Sequence, residues 1–369
     1  MSQTATAARE PLLRIAKREG ATMPQKIAVR AIAILLALVV DALFIFFVTG
    51  LNPLSVYGVM WSGTFANMTR FSWMLRDLST LLCVGIALAP AFKMRFWNCG
   101  GEGQILIGGL TAALIMVYQG NNLPLPLLFA AMALGSIAAG ALWGFIPAWF
   151  KSRWNTNETL FTLMMNYIMI GIVRWLKGGP WEGRPGSQLI PNFDKAAVLP
   201  KVFGVHCGWI IVLVLVVFMH IYMKYTKHGY EIAVIGDSVN TARYAGMNVG
   251  RIMMRTMFLS GAICGLVGFM VASGANMTLS DTVAAGNGFT AITVAWLSQL
   301  NAFAMIIISL MLAILSKGAE TLQTRLMVPT SISDIITGIL LFCMLGCEFF
   351  INYQIIFRGK SSAKEGAKV

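Results

Sequence analysis

Ten runs of mostly apolar residues dominate this chain, at 27–48, 75–92, 105–118, 125–150, 158–176, 209–225, 256–272, 289–300, 302–319 and 332–351. A helix rises 1.5 Å per residue, so about 20 such residues cross a hydrocarbon layer roughly 30 Å thick. Most of the runs approach that length. Charged residues make up only 12% of the sequence, against roughly 25% in soluble domains. Lipid must therefore be the solvent, and the expected fold is all-α, a polytopic transmembrane bundle of about ten spans. The third and eighth runs are too short to cross as regular helices unless the Gly-rich segments before them continue the helix.

The 28 Lys and Arg leave a net charge of +13, which in a soluble chain would suggest nucleic acid. Their placement decides otherwise. An even number of spans puts both termini on one side, and 19 basic residues then fall on that side against 9 on the other. Basic loops stay on the cytoplasmic face, so both termini are expected there and no nucleic-acid partner is expected. The first run, 22 residues long, exceeds the 7 to 15 of a signal-peptide core and is expected to remain as a helix. The six cysteines follow no disulfide framework or metal spacing, and Cys343 with Cys347 read as small packing residues one turn apart. His206, His220 and His228 form no ligand spacing either.

The expected organisation is a cytoplasmic arm at 1–26, a membrane domain at 27–357 and a cytoplasmic tail at 358–369. An outer loop at 177–208 and an inner loop at 224–255 leave the membrane, and neither is long enough for an independent catalytic domain. Within the inner loop, Asp237 can cap a short helix over 238–245 whose apolar face is Val239, Ala242 and Ala245. Gly246 suits a left-handed stop, and Asn248 starts the helix that leads into the seventh span. Two turns are unstable alone, so this helix should pack on something, and a partner protein is the preferred reading over its own bundle.

Glu102 is the most informative ionisable residue, in NCGGEGQILIGGL at 98–110. A carboxylate at membrane depth is costly unless it meets water, a partner or freed backbone. Glycines 100, 101 and 103 break the helix there, and such backbone is tolerated only where protein buries it or a cavity opens beside it. Glu102 is expected to cap the half-helix that follows it, with direct solute contact as the alternative. A second interruption, AAGNGFTAITVAW at 284–296, lies five spans later. Paired broken helices in corresponding halves point to a transport site and to a 5+5 pseudo-repeat. The same stretch matches G-x-G-x-x-[G/A] at Gly286, Gly288 and Ala291, but no strand precedes it, which excludes dinucleotide binding. Gly359-Lys360-Ser361 resembles half a phosphate loop, yet Gln354 stands where the first glycine is needed, so no ATP site is expected. Gly140 with Gly144 and Gly261 with Gly265 are spaced for close helix crossing.

These motifs, with ETLFTLMMNYI at 158–168, GYEIAVIGDSVNTARYAGMNVGR at 229–251 and SGAICGLVGF at 260–269, resemble those of ABC importer permeases of the ribose and branched-chain amino-acid type. The nucleoside and simple-sugar group is the nearest, and the resemblance covers roughly 75–345. It implies a multi-pass permease of a bacterial plasma membrane, working as a transport subunit rather than an enzyme. It further implies a second, homologous or identical permease subunit, an external solute-binding lipoprotein and a cytoplasmic ATPase, with ATP and Mg on that ATPase and no cofactor in this chain. The resemblance puts solute contacts on Asn98, Glu102, Gln104, Asn166, Phe289 and Thr290, and ATPase coupling on Asp237, Ser238, Ala242, Arg243, Ala245 and Gly246. Two positions depart from the family pattern. Cys99 stands where an apolar residue is usual, and Thr290-Ala291 replaces Asp-Gly after the Phe, which keeps a sugar or a flavin-like vitamin open beside a nucleoside. The rival classes are an ion-coupled secondary transporter, with Asp41 and Asp334 as proton-relay candidates, and a membrane enzyme, for which no acid, base or metal cluster is present.

Overall fold

The computed structural model describes residues 13–17, 22–120, 122–184, 186–187, 190, 198–202, 204–276, 278–281 and 283–357. The tail 358–369, most of the arm and part of the outer loop lie outside the described residues. Thirteen α-helices carry the described chain: α1 Met23–Thr49, α2 Pro53–Phe65, α3 Met68–Lys93, α4 Gly101–Gln119, α5 Leu125–Trp154, α6 Glu158–Lys177 and α7 Gly208–Tyr225 come first. They are followed by α8 Lys227–Asp237, α9 Val239–Tyr244, α10 Val249–Met270, α11 Asn287–Leu297, α12 Ala302–Leu326 and α13 Thr330–Asn352. Nine of these are long and apolar enough to cross a membrane. The third expected run is one of them, because Gly101 to Gln104 are already helical and lengthen α4 to 19 residues. The eighth, α11, has 11 residues and remains too short by itself. Helices α2 and α8 were not anticipated as separate elements.

The chain divides into two units, residues 1–59 with 319–369, and residues 60–318. In the first, α1 packs along α13 through Val29, Ala33, Cys347 and Ile351. Strand β1, Leu13–Lys17, pairs antiparallel with β4, Tyr353–Phe357, with Leu13 opposite Phe357 and Lys17 opposite Tyr353. The two strands thus lie side by side, and α13 ends at Asn352, one residue past the expected run 332–351. Asp41 is buried in this unit with neither carboxylate oxygen partnered.

In the second unit α10 is the central helix, flanked by α4 and α5 at contact distances that only glycine permits. A methyl group on Gly140 would run into the Gly261 carbonyl oxygen, and one on Gly265 into that of Ser136. The two pairs predicted for close crossing therefore cross each other. Beside this crossing, on α4, Gly108 meets Gly265 and Gly268 meets the Ile105 carbonyl in the same way. Apolar side chains gain nothing from burial against each other rather than against lipid, so dispersion at such crossings supplies much of the cohesion. Ser136 adds a hydrogen bond from its hydroxyl to the Gly108 carbonyl at 2.8 Å.

Nine crossings alone would separate β1 and β4 across the membrane. The missing crossing is the stretch around α11. Its lead carries Asp281, which pairs with Arg174 and Lys177 at the end of α6. The turn after α11, Gln299 to Asn301, lines a cavity with Lys93 at the end of α3. The start of α6 lies by Lys151 at the end of α5, so Asp281 and Leu300 stand at opposite ends of the bundle, with α11 as the regular part between them.

Replacing Gly140 or Gly261 with Leu should abolish the folded monomer on fluorescence-detected gel filtration, since overpacking costs about 1–3 kcal/mol even where side chains can yield, and here backbone meets backbone. Gly171→Leu, on α6 with nothing within 4 Å of the added carbon, should leave the elution profile unchanged.

Candidate functional site

The two interruptions predicted from sequence meet in space. After α3, Arg95 takes a left-handed turn with φ of 59° and the backbone runs irregularly to Gly100. Several of its free groups find side-chain partners. The Thr162 hydroxyl accepts from Cys99 N at 3.2 Å, Asn98 Oδ1 from Gly100 N at 3.0 Å and Asn166 Oδ1 from Gly103 N at 2.9 Å. Asn166 Nδ2 donates to the Cys99 carbonyl at 2.9 Å. Asn98 and Gln104 exchange side-chain amide hydrogen bonds at 3.3 and 3.4 Å, and Asn98 Nδ2 reaches the Ser260 hydroxyl of α10 at 3.3 Å. Helix α6 places Thr162 and Asn166 one turn apart because the pair is four residues apart on one face.

Glu102 closes the second interruption. Its Oε1 accepts from Gly286 N and its Oε2 from Gly288 N, both at 2.9 Å. These are the N–H groups of the N-cap residue and of the second residue of α11, at the positive end of its dipole. The expectation that Glu102 caps its own half-helix is corrected: it sits in the first turn of α4 but caps α11. The reason is close approach: Gly288 carries no side chain, so the start of α11 comes against the start of α4 and its N–H groups meet the carboxylate. Gly286 takes φ of 75°, and a Cβ at Gly288 would lie 2.8 Å from Glu102 Oε2, so glycine is required at both.

The structure therefore brings Asn98, Glu102, Gln104 and Asn166 together at one buried place, where Asn98 and Gln104 bond each other and Asn166 and Glu102 bond freed backbone. Phe289 and Thr290 follow one turn along α11. The Thr290 hydroxyl donates to the Gly286 carbonyl at 3.3 Å, while Phe289 is 47% exposed. Sequence reasoning missed Trp97 and Trp296, which stack with centroids 5.4 Å apart beside the network and remain part-exposed. Tryptophan immediately before Asn98 and at the end of α11 was the available signal. Irregular backbone does not face lipid, so this aromatic face of the break looks onto water or protein.

At the Lys93 face the inner loop forms α8 and α9. Ser238, rather than the expected Asp237, caps α9 by accepting from Thr241 N at 3.2 Å; Asp237 ends α8. Gly246 has the expected positive φ, 75°, and the stop is a full left-handed cap in which Gly246 N donates to Arg243 O and Met247 N to Ala242 O, each at 3.0 Å. The expected apolar face is divided. Ala242 is fully buried with Ile232, Ile235, Val249 and Met257 in the protein's own core, so the preference for a partner at that residue is corrected. Val239, Arg243, Tyr244 and Ala245 stay exposed, Tyr244 at 93%.

At the opposite face Asp281 binds Arg174 Nε at 2.9 Å and Lys177 Nζ at 3.0 Å. The hydrogen bond from Arg174 holds its carboxyl below the ordinary carboxylate range. Burial pushes the His206 imidazole of β3, Val205–His206, which pairs with β2, Lys201–Val202, down to about 4. It is neutral, and among the described residues no cluster of metal-ligating side chains exists.

A bundle of apolar helices in which a broken segment before α4 is joined to the short α11, with an exposed helical knob, has the make-up of a membrane permease. The chain belongs to the family described as branched-chain amino acid transport system permease component, which matches residues 70–345. It is similar to the glucose ABC transporter permease protein TsgB13 of Haloferax volcanii, 29% identical over 82% of this chain and 83% of the relative. It is 30% identical to the guanosine ABC transporter permease protein NupP of Bacillus subtilis, over 91% and 96% of the two chains. The nucleoside ABC transporter permease protein NupB of Lactococcus lactis is 23% identical over 93% and 97%. The protein is thus an ABC transporter permease, a multi-pass transport subunit of the plasma membrane.

Two outcomes follow for this site. Glu102→Ala removes two charge-assisted hydrogen bonds, about 1.5–3 kcal/mol each, and should lower folded yield sharply. Glu102→Gln keeps one acceptor and should fall between wild type and Ala in a thermal unfolding series in detergent. The depressed Asp281 pKa gives stability that is present above the ordinary carboxylate value of about 3.9 and is lost as pH falls through the lower folded value. The difference in unfolding temperature between wild type and Asp281→Asn should therefore be constant from pH 7 to 5 and vanish on further acidification.

Proposed function

We propose that this chain forms the translocation path of an ATP-driven importer for a nucleoside or simple sugar, with both termini and the α8–α9 knob in the cytoplasm. ATP hydrolysis then belongs to a separate ATPase carrying ATP and Mg. A second permease subunit and an external solute-binding lipoprotein complete the complex. The observation that carries this reading is the pair of broken helices joined by Glu102, since half-helices at mid-depth are how a membrane bundle opens a polar site. The relatives support the solute class, being permeases for glucose, guanosine and nucleosides by name. Asn98, Glu102, Gln104 and Asn166 build the break, and Phe289 with Thr290 offers the surface nearest the solute. The two interruptions also support a 5+5 pseudo-repeat. Ion-coupled transport rests on Asp41 alone, because Asp334 is exposed near the start of α13.

Proteoliposomes holding this chain with its ATPase and binding protein should accumulate guanosine or glucose only with internal ATP. Uptake without ATP, or uptake of neither solute, would overturn the reading. The knob gives a second test. Tyr244→Ala and Ala245→Glu alter exposed side chains and should cut co-purification with the ATPase at unchanged thermal midpoint, whereas Ala242→Glu should unfold the knob and lower the midpoint as well.

A further inference from the structure

A cavity of about 280 Å³ opens between the ends of α3 and α7 and the turn from α11 to α12, apart from the broken helices. It is lined at the helix ends by Lys93, Lys224 and Asn301, and deeper along the helices by Ile86, Met219, His220 and Met305. Lys93 and Lys224 stand in the last turns of their helices, on the face that carries most of the basic residues. Ile86 lies seven residues before Lys93, about 10 Å deeper along a helix axis. The cavity therefore has a cationic polar mouth at the membrane surface and an apolar floor inside the hydrocarbon. Among the described residues no carboxylate pairs with either lysine, whereas Lys151, Lys177, Lys227 and Lys317 all have acidic partners. Helix α12 also begins at this cavity, at Ala302, with Asn301 Oδ1 accepting from Phe303 N at 3.0 Å, so a positive helix end adds to the field.

Lysines in a last turn complement the helix dipole by themselves, but that role needs neither a cavity nor an apolar floor below it. A phosphate with two acyl chains matches both halves. We propose that the cavity binds an anionic phospholipid, its phosphate between Lys93 and Lys224 and the first part of one acyl chain over Met219 and Met305. Anionic lipids are the available phosphate source at such a surface, and basic pockets between spanning helices on this side suit their headgroups.

The test is native mass spectrometry of the full chain in detergent with phosphatidylglycerol or phosphatidylcholine of identical chains. Wild type should retain phosphatidylglycerol selectively. Lys93→Gln with Lys224→Gln should lower that retention at least about tenfold, as two surface lysines imply. Lys224→Gln alone changes an exposed side chain and keeps the test valid if the double variant fails to fold; it should lower retention by severalfold. Lys227→Gln, outside the cavity, should match wild type. Equal retention of the two lipids, unchanged retention in Lys224→Gln, or displacement of phosphatidylglycerol by an equal concentration of inorganic phosphate would each overturn the proposal, the last by marking a site for the free ion.

Discussion

Backbone N–H groups freed inside a membrane have no water to bind, and the centre of this protein is arranged around that constraint. Two helices, α4 and α11, begin inside the protein next to irregular backbone, and each leaves donors that something must accept. For α11 the acceptor is one carboxylate, whose two oxygens reach Gly286 N and Gly288 N together. The spacing of those two donors matches the bite of a carboxylate, and the buried charge of Glu102 is offset by the positive end of the helix it binds. At α4, Asn166 accepts from Gly103 N, while Thr162 and Asn98 accept from Cys99 N and Gly100 N of the irregular backbone just before it. The same bonds that satisfy the backbone thereby fix α6, α4 and α11 relative to one another.

The site is held in place by contacts of a different kind. Glycines on α10 let α4 and α5 approach until backbone touches backbone, and at that distance dispersion and polar bonds replace the hydrophobic effect as the source of cohesion. Substitution there has no soft side chain to absorb it. The bundle is thus rigid beside the break, which keeps Asn98 within reach of Ser260.

The leg that carries α11 is tied at three depths: by Asp281 to α6 at one face, by Glu102 at the centre, and by the stack of Trp296 on Trp97 toward the other. Near that last face α8 sits against the end of α3, where Gly236 lies on the Lys93 carbonyl too closely for any side chain. The exposed knob of α9 is therefore built on the same helix end that turns into the first interruption, which gives a short mechanical route between knob and break.

The sequence by itself determined the class of fold, the position of both breaks, the close helix crossings and the left-handed turn at Gly246. Each of these is set locally, since apolar run length reports the solvent, glycine reports a backbone demand and small residues four apart report a crossing face. Only the tertiary structure decided that Glu102 caps a helix 184 residues away, that Ala242 belongs to the protein's own core while Tyr244 stands out, and that Trp97 stacks on Trp296. Cap, core and stack depend on which helices lie side by side, and in lipid a helix is apolar on nearly every face. Hydropathy carries almost no information about its neighbours, so the partners of individual side chains emerge only when the bundle has closed.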